Sequence, residues 1–303
     1  MENLAKFISD FQLSNTIPPI IHKQLLELLR NYYFISGMPE AVKEYTENKD
    51  LLKIQRIQTE LSTSIRNDFM KYGTKREQPH LTEAFLYTAR NPGTKIKFSN
   101  INSNVRSGVI KSAIEKLEAA RIIHTISHSS GNGVPLGAEI KPEHFKTAFL
   151  DIGLNSRICG LELTNPSELL TIREGLIAEQ FAAQELSAAS MPFEDRGLYY
   201  WIRQQKNSNA EIDYLISANN SVIPIEIKAG TKGSLKSLHI FMASRKGSPF
   251  AVRLRLNPPK IEDVKHRVRI GSESVEAEYK LLNLPLYLTS QTKRLALEMP
   301  DLI

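Results

Sequence analysis

Asp213, Glu226 and Lys228 are the residues of this 303-residue chain whose types and spacing could do chemistry; they lie in AEIDYLI and, after a short polar break, in VIPIEIK. Val222 to Lys228 alternates with period two, so Ile223, Ile225 and Ile227 turn to one face of a strand while Glu226 and Lys228 share the other. Ala210 to Ser217 reads as a second strand. Between them Asn219-Asn220 suits a two-residue hairpin turn, because asparagine tolerates the positive φ such turns require. If that turn closes the hairpin, residue 218 faces 221 and, continuing the ladder, Asp213 faces Glu226. Directly opposed residues of an antiparallel pair project to the same face roughly 5 Å apart, so two carboxylates and an ammonium meet in one small volume.

Two carboxylates so close repel each other unless a cation or a shared proton intervenes, and oxygen donors of this kind suit Mg2+ or Mn2+. Such an ion orients a phosphodiester and acidifies a bound water, while the adjacent ammonium offsets charge developing on phosphate oxygens. Hydrolysis of a nucleic-acid backbone is the leading chemistry. The plainer alternative is a cross-strand ion pair between Asp213 and Lys228 on a solvated sheet face, which contributes little.

An aspartate, a hairpin, then Glu-x-Lys resembles the core of PD-(D/E)xK nucleases. In that fold a helix before the first strand commonly supplies another acid, and GLIAEQFAAQEL (175–186) is similar to that helix, with Glu179 at the matching position. The wider stretch, GLIAEQFAAQEL, YYWIRQQKNSNAEIDYLI and IPIEIKAGTKGSLKSL, is similar to the C-terminal domain of prokaryotic AAA-type ATPases carrying the domain of unknown function 4143. Upstream, FISGMPEAVKEY and the segment Ile57 to Tyr72, with RNDFMKY, extend the resemblance; Ser36 stands where that family usually has glycine.

The resemblance implies a metal-dependent phosphodiesterase or endonuclease in which Asp213, Glu226, Lys228 and Glu179 are catalytic and Asp213 and Glu226 hold Mg2+ or Mn2+. Its alternative is a non-catalytic DNA- or protein-binding regulatory module related to, or partnering with, an AAA-type ATPase. Members of the family typically begin with a P-loop ATPase domain. No GxxxxGK[ST] occurs here, and Gly230 to Ser234 lacks the spacing that cradles phosphates, so no ATP site is expected in this chain and a separate ATPase chain is a candidate partner.

Composition permits this. At 41% hydrophobic and 24% charged the chain is ordinary for a globular protein, and its apolar runs fall short of the roughly 20 residues a membrane helix needs. MENLAKFISDFQ lacks a secretory apolar core, so the expectation is a cytoplasmic protein without membrane contact. Cys159 is the only cysteine, which excludes an internal disulfide and a thiolate metal cluster. The net charge of +6 says little by itself, but between Lys228 and Arg269 eleven Lys/Arg face only Glu262 and Asp263. Lys232, Lys236, Arg253 and Arg255 are therefore candidate contacts to nucleic acid, DNA first, with a solvated sheet surface as the alternative.

The elements that must position these residues fall into an α/β (α+β) arrangement of three segments. Residues 1–78 read as a helical module, with helices from Met38-Pro39 to Tyr45 and from Leu51 to Phe69, and Gly73 to His80 reads as a linker. Residues 79–155 read as a winged-helix-like domain: a helix, the short strand KIKF, a helix from Val105 to Ala120 capped by Ser103 or Ser107, then strands around IIHTI and KTAFL with a wing at Ser129 to Pro135. Lys111, Glu115, Lys116 and Glu118 leave that helix nearly neutral outside, which favours a protein contact over base reading. Residues 156–303 hold the restriction-endonuclease-like mixed sheet, with a connector to Arg173, Trp201 as a sheet anchor, a helix from Ser234 to Ser244 and a strand from Phe250 to Leu256.

Overall fold

The computed structural model describes residues 2–160, 166–190, 197–205, 208–230, 234–245 and 247–299. Helices α1 (Glu2–Asp10), α2 (Pro19–Ile35), α3 (Pro39–Glu47), α4 (Leu51–Tyr72), α5 (Gln78–Arg90), α6 (Phe98–Ile101) and α7 (Ser107–Ala119) come first. Then follow β1 (Ile123–Ser129), β2 (Ile140–Phe149), α8 (Ile152–Ile158), α9 (Pro166–Ala188), β3 (Leu198–Gln205), β4 (Ser208–Ala218) and β5 (Ser221–Lys228). The chain continues through α10 (Lys236–Ser244), β6 (Phe250–Arg255), β7 (Lys260–Ile270), β8 (Glu273–Pro285) and α11 (Thr292–Glu298). The strands make one mixed sheet in the order β2-β1-β3-β4-β5-β6-β8-β7. This is a mixed α/β protein. None of the described helices is long and apolar enough to cross a membrane.

By internal contacts the chain divides into two units. The first comprises Leu28–Thr125 and His144–Gln184 and is mainly helical. Its α4 begins because Asp50, in an extended conformation, accepts the Lys53 N–H at 3.0 Å, and the helix buries Ile54, Ile57 and Phe69. Phe69, Phe85 and Phe149 pack edge to face at the centre of a core that Leu81, Ile114 and Leu117 complete.

Several local expectations for this unit change. KIKF yields only an isolated bridge, Lys95 to Lys146, before α6 begins. Helix α7 starts with Arg106 at its N-cap position and no side-chain cap, so neither Ser103 nor Ser107 plays that role. The stretch from Gly73 is ordered by Glu77, which takes the Thr74 N–H at 2.8 Å and the Lys116 ammonium at 2.7 Å and leads directly into α5. From Pro166 to Arg173 the connector is the first turns of the 23-residue α9, a longer helix than the short one expected after Asn165-Pro166; residues 161–165 lie outside the described residues. Ser36 has φ 57, the left-handed conformation in which glycine is unstrained, which accounts for a glycine at the matching position of the resembled family.

The second unit comprises Met1–Glu27, Ile126–Glu143 and Glu185–Ile303 and contains the central strands. Strands β1 and β3 run parallel, β4 is antiparallel to both β3 and β5, and β5, β6 and β8 are parallel neighbours. Helix α10 lies on the sheet through Leu238, Phe241 and Met242, packed with Trp201, Ile212, Leu215, Val222 and Leu281. Fully burying an aliphatic or aromatic side chain contributes about 1.5–3 kcal/mol, so this layer holds α10 in place. Trp201 is 3% exposed and meets Phe241 edge to face at 5.2 Å. It is an anchor of the sheet, as its position in the sequence implies. Strands β7 and β8 form a long hairpin through Gly271, whose φ is +68.

Candidate acid and lysine site on the β4–β5 hairpin

The hairpin closes as its turn residues require. Asn219 and Asn220 both take positive φ, 48 and 57, and the ladder pairs Ala218 with Ser221, Ser217 with Val222, and so on to Tyr214 with Ile225. That is the register anticipated from the Asn-Asn turn, and it brings Asp213 level with the end of β5.

At Asp213 the ladder changes character. Between the β3–β4 pairs Tyr199↔Leu215 and Trp201↔Ile212, β3 advances two residues and β4 three, so Asp213 and Tyr214 together oppose Tyr200 in a β-bulge. Core membership changes parity there: Ala210 and Ile212 face α10, and after the bulge Leu215 does. A bulge re-aims the side chains it carries. Asp213 Oδ2 then accepts the Ile227 main-chain N–H at 2.7 Å, so the carboxylate itself satisfies β5 one residue beyond Glu226.

Glu226 is 4% exposed, and its Oε1 lies 2.6 Å from the Lys228 Nζ. The lysine side chain keeps 29% of its surface against 5% for the glutamate, so the cation faces the opening and the carboxylate the interior. Glu226 and Lys228 thus lie side by side on one strand face, as the period-two alternation of β5 implies.

The parallel register of β5 and β6 sets Arg253 beside Glu226 and Arg255 beside Lys228. Arg253 is held: its Nε donates to Asn283 Oδ1 at 2.6 Å and its Nη2 lies 3.2 Å from Glu262 Oε2. Burial, and then the neighbouring Arg255, lower its pKa. Among the described residues the buried Arg255 Nε has no hydrogen-bond partner. Burial pushes the Tyr279 phenol far above its usual range, with opposing influences from Arg253 and Glu226, and its hydroxyl meets His239 Nδ1 at 2.9 Å. Lys236 is the exposed first residue of α10, where its charge opposes the helix dipole. Lys232 lies outside the described residues.

Glu179 belongs to the helical unit. There its carboxylate rests against Gly93, which has φ +68 and leaves no room for a side chain. Its neighbours on α9 do structural work. Gln180, fully buried, accepts the Phe149 N–H at 2.7 Å and donates to the Phe149 carbonyl at 2.8 Å, and Gln184 accepts the Ile152 N–H at 3.0 Å. The glutamines of that helix had no assigned role in the sequence, although a polar residue recurring on a helix's apolar stripe is the signal that marks a main-chain clamp.

Tyr279, Asn283 and Glu262 were also missed, because their proximity to the site depends on β8 lying between β6 and β7. No local pattern encodes that order. Charges on this hairpin are largely matched: Lys260 pairs with Glu262 on its own strand at 3.1 Å, and across the hairpin Lys265 pairs with Glu278 at 3.4 Å and Lys280 with Asp263 at 2.9 Å. Among the described residues, no group of three or more His, Cys, Asp and Glu is placed to hold a metal ion.

Fold and site together define a mixed α/β protein with an acid–lysine hairpin at its centre. Residues 174–272 match the family model described as Domain of unknown function (DUF4143), and residues 26–165 match that described as Domain of unknown function (DUF8612). The first of these segments contains Glu179, Asp213, Glu226 and Lys228. No curated protein and no solved structure matches the chain.

Proposed function

We propose that the hairpin belongs to a PD-(D/E)xK nuclease-like core, and that the protein is a metal-dependent phosphodiesterase acting on nucleic acid, DNA first. The observation that carries the reading is the bulge at Asp213, which turns a carboxylate onto the Ile227 amide beside the Glu226–Lys228 pair at 2.6 Å. Mg2+ is commonly held by one or two carboxylates with water completing its shell, so Asp213 and Glu226 are a donor set of suitable chemistry for Mg2+ or Mn2+. The ion, when bound, supplies Lewis acidity and an acidified water. Lys228, at the open side of the pair, offsets charge developing on the phosphate oxygens. Glu226, buried behind it, holds the ammonium in place. The proposal rests on these three residues; Glu179 enters it only through the resemblance.

The test is cleavage of plasmid and of single-stranded DNA with Mg2+ or Mn2+ present. Activity that disappears in Asp213→Asn and Lys228→Gln while the fold persists supports the reading. Intact substrate with the native chain in either metal sinks it.

A second reading has its own support. Glu226 is already neutralised by Lys228, and the DUF4143 match covers a domain typical of AAA-ATPase-associated proteins, so a non-catalytic DNA- or protein-binding module that works with a separate ATPase chain is the alternative. Within it, residues 79–155 would be the winged-helix-like domain, a reading supported by the element order α5-α6-α7-β1-β2. The exposed Lys111–Glu115 pair, at 3.7 Å on α7, suits a protein contact better than a DNA groove. Calorimetric metal binding without cleavage would favour this module.

A further inference from the structure

A polar cavity of about 440 Å³ opens within the sheet-containing unit, and Asp213, Glu226 and Lys228 are not among its lining residues. Its walls include His128, Lys141, Trp201, Arg203 and Arg245. Among the described residues no carboxylate lines it. Two arginines and a lysine therefore line one space.

Arg245 is built in rather than loosely displayed. Its Nε donates to the Ser130 carbonyl at 3.1 Å, its Nη1 to the Ser244 carbonyl at 3.2 Å, and its guanidinium lies over the Trp201 ring, 5.8 Å from the centroid. These contacts fix the plane of the guanidinium before any ligand arrives, which reduces the ordering cost of binding. Arg203 is close enough to lower the Arg245 pKa, after burial, while Glu139 acts in the other direction. The C-terminus of α10 would repel an anion through its exposed carbonyls, but Arg245 covers Ser244 there. Two like charges held together in a half-buried space are stabilised by an anion shared between them.

The topology gives the cavity a setting. Its residues on β1 and β3 lie toward the carboxyl ends of two parallel strands, where α/β sheets commonly receive ligands. Strands β3 and β5 are both antiparallel to β4, so Arg203 and Lys228 belong to the same edge of the sheet. Arg203 pairs with Ala210, three residues before Asp213, a separation of about 10 Å along β4 at roughly 3.3 Å per residue.

We infer that this cavity is a phosphate-binding subsite, formed by Arg245, Arg203 and Lys141, that takes a backbone phosphate of a nucleic-acid strand. Forked guanidinium donors match phosphate oxygens, and the lysine adds a point charge at the exposed rim. The inference stands on the cavity itself and does not require that the hairpin cleave anything.

Trp201 is the only tryptophan of the chain, so its fluorescence reports on Arg245 directly. Sodium pyrophosphate titrated into the native protein is expected to change that emission saturably and to do so less at high salt. Lys141→Gln and Arg203→Gln, each with an unchanged melting temperature, should weaken the response about tenfold, the effect of losing about one charged contact. Asp213→Asn should leave it intact, which separates this site from the hairpin. A short single-stranded oligonucleotide should compete with pyrophosphate; failure to compete would overturn the backbone assignment. No response to pyrophosphate, or one that both cavity variants retain in full, would overturn the site.

Discussion

Asp213 and Ile227 are joined by a hydrogen bond of 2.7 Å in which a side-chain carboxylate takes a main-chain amide that a strand carbonyl would ordinarily satisfy. Asp213 is therefore structural and chemical at once, and two substitutions separate the roles. Asp213→Asn retains an oxygen that can accept the Ile227 N–H, so stability should change by under about 1 kcal/mol while any divalent-ion affinity and cleavage are lost. Asp213→Ala leaves the amide unpaired and should cost about 1–3 kcal/mol. Urea midpoints for both variants, beside metal titrations, check this; a strongly destabilised Asn variant would mean that charge rather than the hydrogen bond holds β5.

The ion pair of Glu226 and Lys228 is unequal in burial, and that sets the consequence of breaking it. Lys228→Ala leaves a nearly buried carboxylate without its lysine and should destabilise by about 3 kcal/mol. Glu226→Gln added to that variant should recover much of the loss, because the uncompensated charge goes with it. If Glu226 binds Mg2+, millimolar Mg2+ should raise the melting temperature of Lys228→Ala but not of the double variant. Additive losses in the thermodynamic cycle would remove the ion pair from the account of the site.

The hairpin was legible in the sequence because everything that defines it is local: Asn-Asn supplies positive φ, and Ile223, Ile225 and Ile227 alternate against it. The register to Tyr214↔Ile225 follows from those two facts. The bulge was not legible, since an extra residue on β4 is visible only against β3, whose pairing is set by distant packing of Trp201 under α10. For the same reason the hydrogen bond from the Ile227 N–H to Asp213 was not read, whereas Glu226 and Lys228, expected side by side on one strand face, do pair within β5 at 2.6 Å. Arg253 illustrates the limit of charge counting. Its period-two spacing with Arg255 read as a binding stripe, yet Asn283 and Glu262, carried by strands that only the tertiary fold brings alongside, hold it.

His239 gives the sheet-containing unit a pH dependence with a definite sign. Its ring stacks on His266 at 4.3 Å, bonds the Tyr279 hydroxyl, and has a pKa lowered to about 4 by burial and then by His266. The unfolded chain takes up this proton near pH 6.5 and the folded chain does not until about pH 4. This group therefore costs nothing above pH 6.5, and stability falls as pH drops from there toward 4. Asp151 acts oppositely, since burial raises its pKa and the folded state gains as it protonates. Melting curves of the native chain and of His239→Gln across this range isolate the effect: the variant should show a shallower decline, and parallel curves would rule His239 out.

Ser36 and Asp151 supply a test in the helical unit. Ser36 occupies the left-handed region at φ 57, a conformation that costs a residue with a Cβ about 1–2 kcal/mol. Against that, its Oγ donates at 2.5 Å to Asp151 Oδ2, a carboxylate 1% exposed that also takes the Gly37 and Leu154 amides. Ser36→Ala keeps the strain and removes a donor from a buried acid, so it should cost about 2 kcal/mol. Ser36→Gly removes the same donor but relieves the strain, so it should be about 1 kcal/mol more stable than the alanine variant. Urea unfolding with unchanged m-values measures the difference. Equal midpoints would show that the backbone at this turn is not strained, and that the hydroxyl alone accounts for serine standing where a glycine would fit.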